Sequence, residues 1–236
     1  MNKFLLTSQL SSGLTPAQLK PIVDSYLSKQ KQCNLNSVFQ SLRDAYNDYK
    51  KSQNRDDLRY LLALCLRSRH GWRMPWVYAT QAVEKLINSN ILNKKFNDFE
   101  KLYDEVQNII GNIIFARGDL TLYDTAVNLG QLMNPVIEPK NLVYLAAGAR
   151  KGAGYVLGKN NVKRTLPIKN VATLFPNVPN IDIENMLCIY KELFRKLANG
   201  ETLTQQEIDN AYNPHCFKPG TKKHYLNKMN NCNIFY

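Results

Sequence analysis

Helical periodicity is the strongest constraint on this chain. Phe99, Leu102, Tyr103, Val106, Ile109, Ile110 and Ile113 recur at the i, i+3, i+4, i+7 spacing that gathers apolar side chains on one face of an α-helix. Leu58, Leu61, Leu62, Cys65 and Leu66 make a second such stripe, with Asn54 placed to cap the amide of Asp57. A third comprises Ile183, Met186, Leu187, Tyr190, Leu193, Phe194 and Leu197, capped by Asp182, with Arg195 and Lys196 at the carbonyl end before Asn199-Gly200. The same signals place helices from Thr15-Pro16 to Lys29, from Leu35 to Lys50, from Pro75 to Asn88 and from Asp119 to Met133. Thr204 and Glu207 have the spacing of a capping box for a further short helix. Alternating strand-type runs are nearly absent. The expectation is an all-α fold, a compact multi-helix bundle of about eight to ten helices.

Three stretches depart from this pattern. Leu142 to Gly158 is rich in glycine and alanine. As one helix it would present Ala146, Gly148, Ala149, Gly152 and Ala153 as a bare flank on which another helix could pack closely; otherwise the chain breaks between Gly148 and Gly152. Residues 160–180 hold Pro167, Pro176 and Pro179 and read as an extended connection pinned by Leu166, Ile168, Leu174 and Phe175. Residues 213–236 hold Pro214, Pro219 and four lysines with little periodicity, and read as a basic, poorly structured tail. The expected organisation is one all-α domain over 1–212, with a sub-boundary near 134–135 or within 160–180, followed by that tail.

The charge is segregated. No Asp or Glu occurs in 58–83, 139–181 or 210–236, which hold 4, 7 and 4 Lys or Arg, whereas the rest of the chain has 16 basic and 19 acidic residues. The net charge of +12 therefore resides in three windows. A concentrated field of that sign favours a polyanion, above all nucleic acid. The candidate contacts are Arg67, Arg69, His70 and Arg73 from the first window, and Arg150, Lys151, Lys163 and Arg164 from the second. Arginine forks suit phosphate, and Trp72 and Trp76 offer faces for base stacking, although tryptophans at a helix corner also serve as core anchors.

If residues 147–152 form a hairpin, the segment resembles the helix-hairpin-helix motif of DNA repair proteins. Leu145 and Ala153 then take matching apolar positions. Lys151 falls where some DNA glycosylases of that superfamily carry a nucleophilic lysine, which implies a base-excision glycosylase-lyase activity. Ala147 and Ala149 stand at the two hairpin glycine positions, and Gly148 replaces the apolar residue between them.

Other chemistries lack a signature. There is no Walker loop, GxGxxG, HExxH or GxSxG pattern. His215, Cys216, His224 and Cys232 match no common zinc spacing, so neither a metal nor a cofactor is expected. The five cysteines form no CxxC pair, and Cys33, Cys65 and Cys188 sit in apolar helical patterns, which argues against a disulfide framework. The apolar runs Tyr60–Leu66 and Leu142–Ala149 fall well short of the ~20 residues that span a membrane, and Phe4-Leu5-Leu6 is too short for a secretory signal. The chain is expected to be cytoplasmic, or packaged in a virion if viral. The first function expected is nucleic-acid binding, DNA or RNA, through a convergent basic surface without catalysis. The second is assembly with protein partners, or with itself, through the small-residue helix and the tail. The third is the lysine-dependent lyase.

Overall fold

A computed structural model describes residues 13–33, 35–67, 74–113, 119–160, 162–212 and 220–232. Among these the fold is all-α and consists of eleven helices. They are α1 (Pro16–Cys33), α2 (Leu35–Ser52), α3 (Arg55–Cys65), α4 (Trp76–Asn88), α5 (Phe99–Ile110), α6 (Asp119–Gly130), α7 (Ala147–Leu157), α8 (Asn180–Ile189), α9 (Lys191–Ala198), α10 (Gln205–Ala211) and α11 (Lys222–Asn230). Two short strands, β1 (Leu142–Tyr144) and β2 (Thr165–Pro167), pair antiparallel with Val143 opposite Leu166. None of the described helices is long and apolar enough to cross a membrane. The chain divides into two compact units, Met1–Gln30 with Asn141–Pro214, and Lys31–Lys140 with His215–Tyr236. The division at 140/141 lies close to Asn134-Pro135, while residues 160–180 fall inside the first unit.

Unit one is built around α7 and α8. Gly152 is buried so closely against α8 that a Cβ there would stand 2.1 Å from the Leu187 carbonyl oxygen, and one on Gly148 would stand 2.6 Å from Cys188 Sγ. The bare flank of α7 is thus consumed by α8, which offsets the ~0.8–1.0 kcal/mol that each helical glycine costs relative to alanine. Residues 147–152 are the first turns of a helix, so the hairpin on which the DNA-repair resemblance depends is not formed. The segment is split differently from either expectation: Leu142–Tyr144 is strand, and the helix starts after Ala146. Gly158 ends α7 with φ 63°, a left-handed conformation that a side chain would strain. Val143, Leu145, Ala149, Ala153 and Val156 enter one core with Leu19, Ile22 and Tyr26 of α1 and Met186, Leu187, Tyr190 and Phe194. The proline-rich connection is pinned as expected, with Leu166, Ile168 and Phe175 buried.

The expected helix over residues 182–199 is two helices. Tyr190 takes φ −92° and ψ 12°, closing α8 and opening α9. Pro179, rather than Asp182, holds the cap position of α8, and Asp182 is buried in the first turn. Burial pushes the Tyr190 phenol up to about 12, opposed by the Ser25 hydroxyl beside it. The capping box of α10 is as read: Thr204 Oγ1 accepts from the Glu207 amide at 3.2 Å, and Glu207 Oε2 accepts from the Thr204 amide at 2.8 Å.

Unit two packs α2 to α6 with α11. The stripe of α5 is buried as its period demands, at Phe99, Leu102, Tyr103, Val106 and Ile110. Helix α6 is covered on every side from Leu122 to Gly130, and Asp124 is buried with the rest. Asn128 of α6 donates its amide to the carbonyls of Cys65 and Arg67 at 3.0 and 3.1 Å, satisfying the end of α3. Asn54 caps α3 through the amide of Asp56, one residue before the expected partner.

The C-terminal region differs most from expectation. Thr221 caps α11 by accepting from the His224 amide at 3.2 Å, and the helix lies on α3 and α4. Tyr225 is buried against Tyr60 and Trp76, with ring centroids 5.4 and 5.3 Å away. Lys222 pairs with Asp57, whose carboxyl is held below the usual carboxylate range by that ammonium and by the Ser52 hydroxyl. Aromatic anchoring thus makes residues 222–230 a docked helix where a poorly structured tail was expected.

Candidate nucleic-acid interface

The middle acid-free window, from Asn141 onward, lies in unit one. The β1–β2 ribbon is extended by Leu145 N donating to Arg164 O at 2.7 Å and by Ile168 N donating to Asn141 O at 2.8 Å. Lys163 and Arg164 therefore stand beside the chain as it enters α7, about one turn before Arg150 and Lys151. At the other end of the ribbon Lys169 follows Ile168, roughly 13 Å away for a strand rise of ~3.3 Å per residue. Lys159 follows the end of α7. Lys151, Lys159, Lys163, Arg164 and Lys169 are exposed and Arg150 is half-buried. None of the four lysines makes an ion pair among the described residues.

Several carboxylates of unit one are buried or paired with other cations. Asp182 and Glu184 are buried, Asp24 pairs with Lys20 at 2.6 Å, Glu192 with Arg195 at 3.0 Å, and Glu207 with Lys196. Helix α7 has no acid in its first turn and no side-chain cap, and its first turns carry Arg150 and Lys151, with Lys163 and Arg164 beside its start. The arrangement suits a chain of phosphates. It suits lysine catalysis less well: Lys151 is exposed and hydrogen-bonds no carboxylate among the described residues.

Unit two brings the other two windows together, because α11 packs on α3 and α4. Arg67 is half-buried, with its Nη1 3.5 Å from the Tyr225 hydroxyl. Arg69, His70 and Arg73 lie outside the described residues, as do His215 and Cys216. Carboxylates enter this junction: Arg59 meets Glu84 at 3.1 Å and Asp56 at 3.8 Å, Arg55 meets Glu84 at 2.6 Å, and Lys222 takes Asp57. Lys223, His224 and Lys228 remain exposed on α11.

The structure thus joins four of the eight expected contacts, Arg150, Lys151, Lys163 and Arg164, in one unit and places Arg67 in the other. Lys159 and Lys169 belong to the same unit and were not singled out, although the acid-free window already contained them. Burial pushes the Cys65 thiol well above its ordinary range, so it acts as a small hydrophobe. The chain matches no family model, no curated protein and no solved structure to which it was compared.

Proposed function

We propose that the protein binds nucleic acid through the phosphate backbone, with the ribbon and α7 of unit one as its principal contact. The observation that supports this is a run of six cations without an acid, four of them exposed lysines without a counter-ion among the described residues. Backbone contact of this kind is electrostatic and releases counterions, with a slope of about −0.9 in log K against log salt for each phosphate neutralised on duplex DNA. Six contacts would give a slope of about −5.

The test is fluorescence anisotropy of labelled duplex DNA, single-stranded DNA and RNA over a salt series, with the full chain and the triple variant Lys151→Ala, Lys163→Ala, Arg164→Ala. All three side chains are at least partly solvent-facing, and such substitutions change stability by about 0.5 kcal/mol or less each. The expected result is weaker binding to every sequence, with a slope shallower by about 3. Binding that is insensitive to salt, or undetectable with all three polymers, would refute the proposal. The assembly reading relied on the small-residue flank of α7, which α8 already occupies, and retains only the C-terminal lysines.

A further inference from the structure

Arg43, Tyr46 and Asn47 occupy positions i, i+3 and i+4 of α2 and so share one face of that helix. In unit two this face meets the turn that follows α6, and together they line a hollow of about 270 Å³. The walls divide by chemistry. Leu132, Met133 and Val136 supply an apolar side, and Val136, at 49% exposure, is the one large hydrophobic left exposed among the described residues. Guanidinium and carboxamide groups of Arg43, Asn47, Gln131 and Asn134 supply the polar rim, and no carboxylate lines the hollow. Arg43 makes no ion pair among the described residues. Gln131 is buried and donates Nε2 to Glu138 Oε1 at 2.8 Å, which orients its amide and leaves the carbonyl oxygen as an acceptor. Lys50 Nζ stands 5.4 Å from the centre of the Tyr46 ring, holding that ring by a cation–π contact.

A ligand that matches these walls has a flat apolar face, an edge carrying both donors and acceptors, and a negative charge. Nucleobases have such faces, carboxamides pair bidentately with the adenine N6/N7 edge, and a phosphate suits the Arg43 fork. The volume lies just below the ~300 Å³ at which drug-sized sites begin, enough for one nucleotide but not two. We propose that this hollow binds a single nucleotide with an unpaired base, adenine above all. The site is separate from the ribbon of unit one and does not depend on it.

The test uses the full chain with ¹³C-labelled valine and methionine methyls, titrated with AMP, adenosine, a short oligo(dA) and a self-complementary duplex. Val136 and Met133 resonances are expected to move with AMP and with oligo(dA), and the ratio of the two affinities tells a free nucleotide from one in a strand. Arg43→Ala should weaken AMP about tenfold, the loss of one charge-assisted contact, and leave adenosine unchanged. Val136→Ala should weaken both ligands with an unaltered melting midpoint. No movement of Val136 with AMP at millimolar concentration, equal AMP affinity in Arg43→Ala, or a response to duplex as large as that to oligo(dA) would each overturn the site. Salt-dependent DNA binding lost in the ribbon variant but accompanied by no Val136 response would remove this proposal and leave the ribbon intact.

Discussion

Substituting Gly152 by alanine tests how closely α7 and α8 are packed. The added methyl would lie 2.1 Å from the Leu187 carbonyl oxygen and 2.9 Å from its carbonyl carbon. Ordinary carbon contacts fall near 3.5 Å, so the helices would have to separate by about 1 Å. The obstacle is backbone, which no change of rotamer relieves. Overpacking of this kind costs about 1–3 kcal/mol, and removing a helical glycine returns about 0.8–1.0 kcal/mol, so a net loss of roughly 1 kcal/mol, and at most about 2, is expected. Gly154→Ala is the internal control, because its methyl meets only the Lys159 carbonyl oxygen at 3.0 Å. The two effects nearly cancel there, and the change should be close to zero. Urea unfolding followed by circular dichroism reads both as shifts of midpoint at constant slope. If Gly152→Ala is as stable as Gly154→Ala, the reasoning about the α7–α8 interface is wrong.

Two further outcomes follow from the same contacts. Lys196 and the Thr204 groups hold the Glu207 carboxyl at about 2, below its ordinary 4.5. A depressed carboxylate contributes stability that is present above pH 4.5 and lost as the pH falls toward 2, so Glu207→Gln should flatten the dependence of the unfolding midpoint over that window. Removing the buried ring in Tyr225→Ala should cost about 3 kcal/mol and speed hydrogen exchange along α11, while exchange in α5 is unchanged. Uniform exchange throughout unit two would contradict the docking of that helix.

The sequence revealed what depends on near neighbours. The α5 stripe, the Asn54 cap and the Thr204–Glu207 box are all decided within a few residues. Contacts at a distance were hidden. A three-residue strand carries no period, so Leu142–Tyr144 acquires its identity from Thr165–Pro167. Helices covered on all sides lose the contrast between faces, which is why buried Asp182 reads as a cap. Helix α11 was missed because its stability comes from Tyr60 and Trp76, far away in the chain. Of the candidate interface, the cations were legible from the missing acids. Their grouping was not, since only the ribbon sets Lys163 and Arg164 beside α7.

Pairing in that ribbon also acts as a ruler. Leu166 points into the core from a position flanked by Thr165 and Pro167, and side chains alternate sides along a strand. A slip of one residue would turn Leu166 to solvent and displace Arg164 from Leu145. The hydrophobic demand of one leucine therefore fixes the distance between charged groups at the surface, and mutations in the core beneath it should be felt as changes in spacing outside.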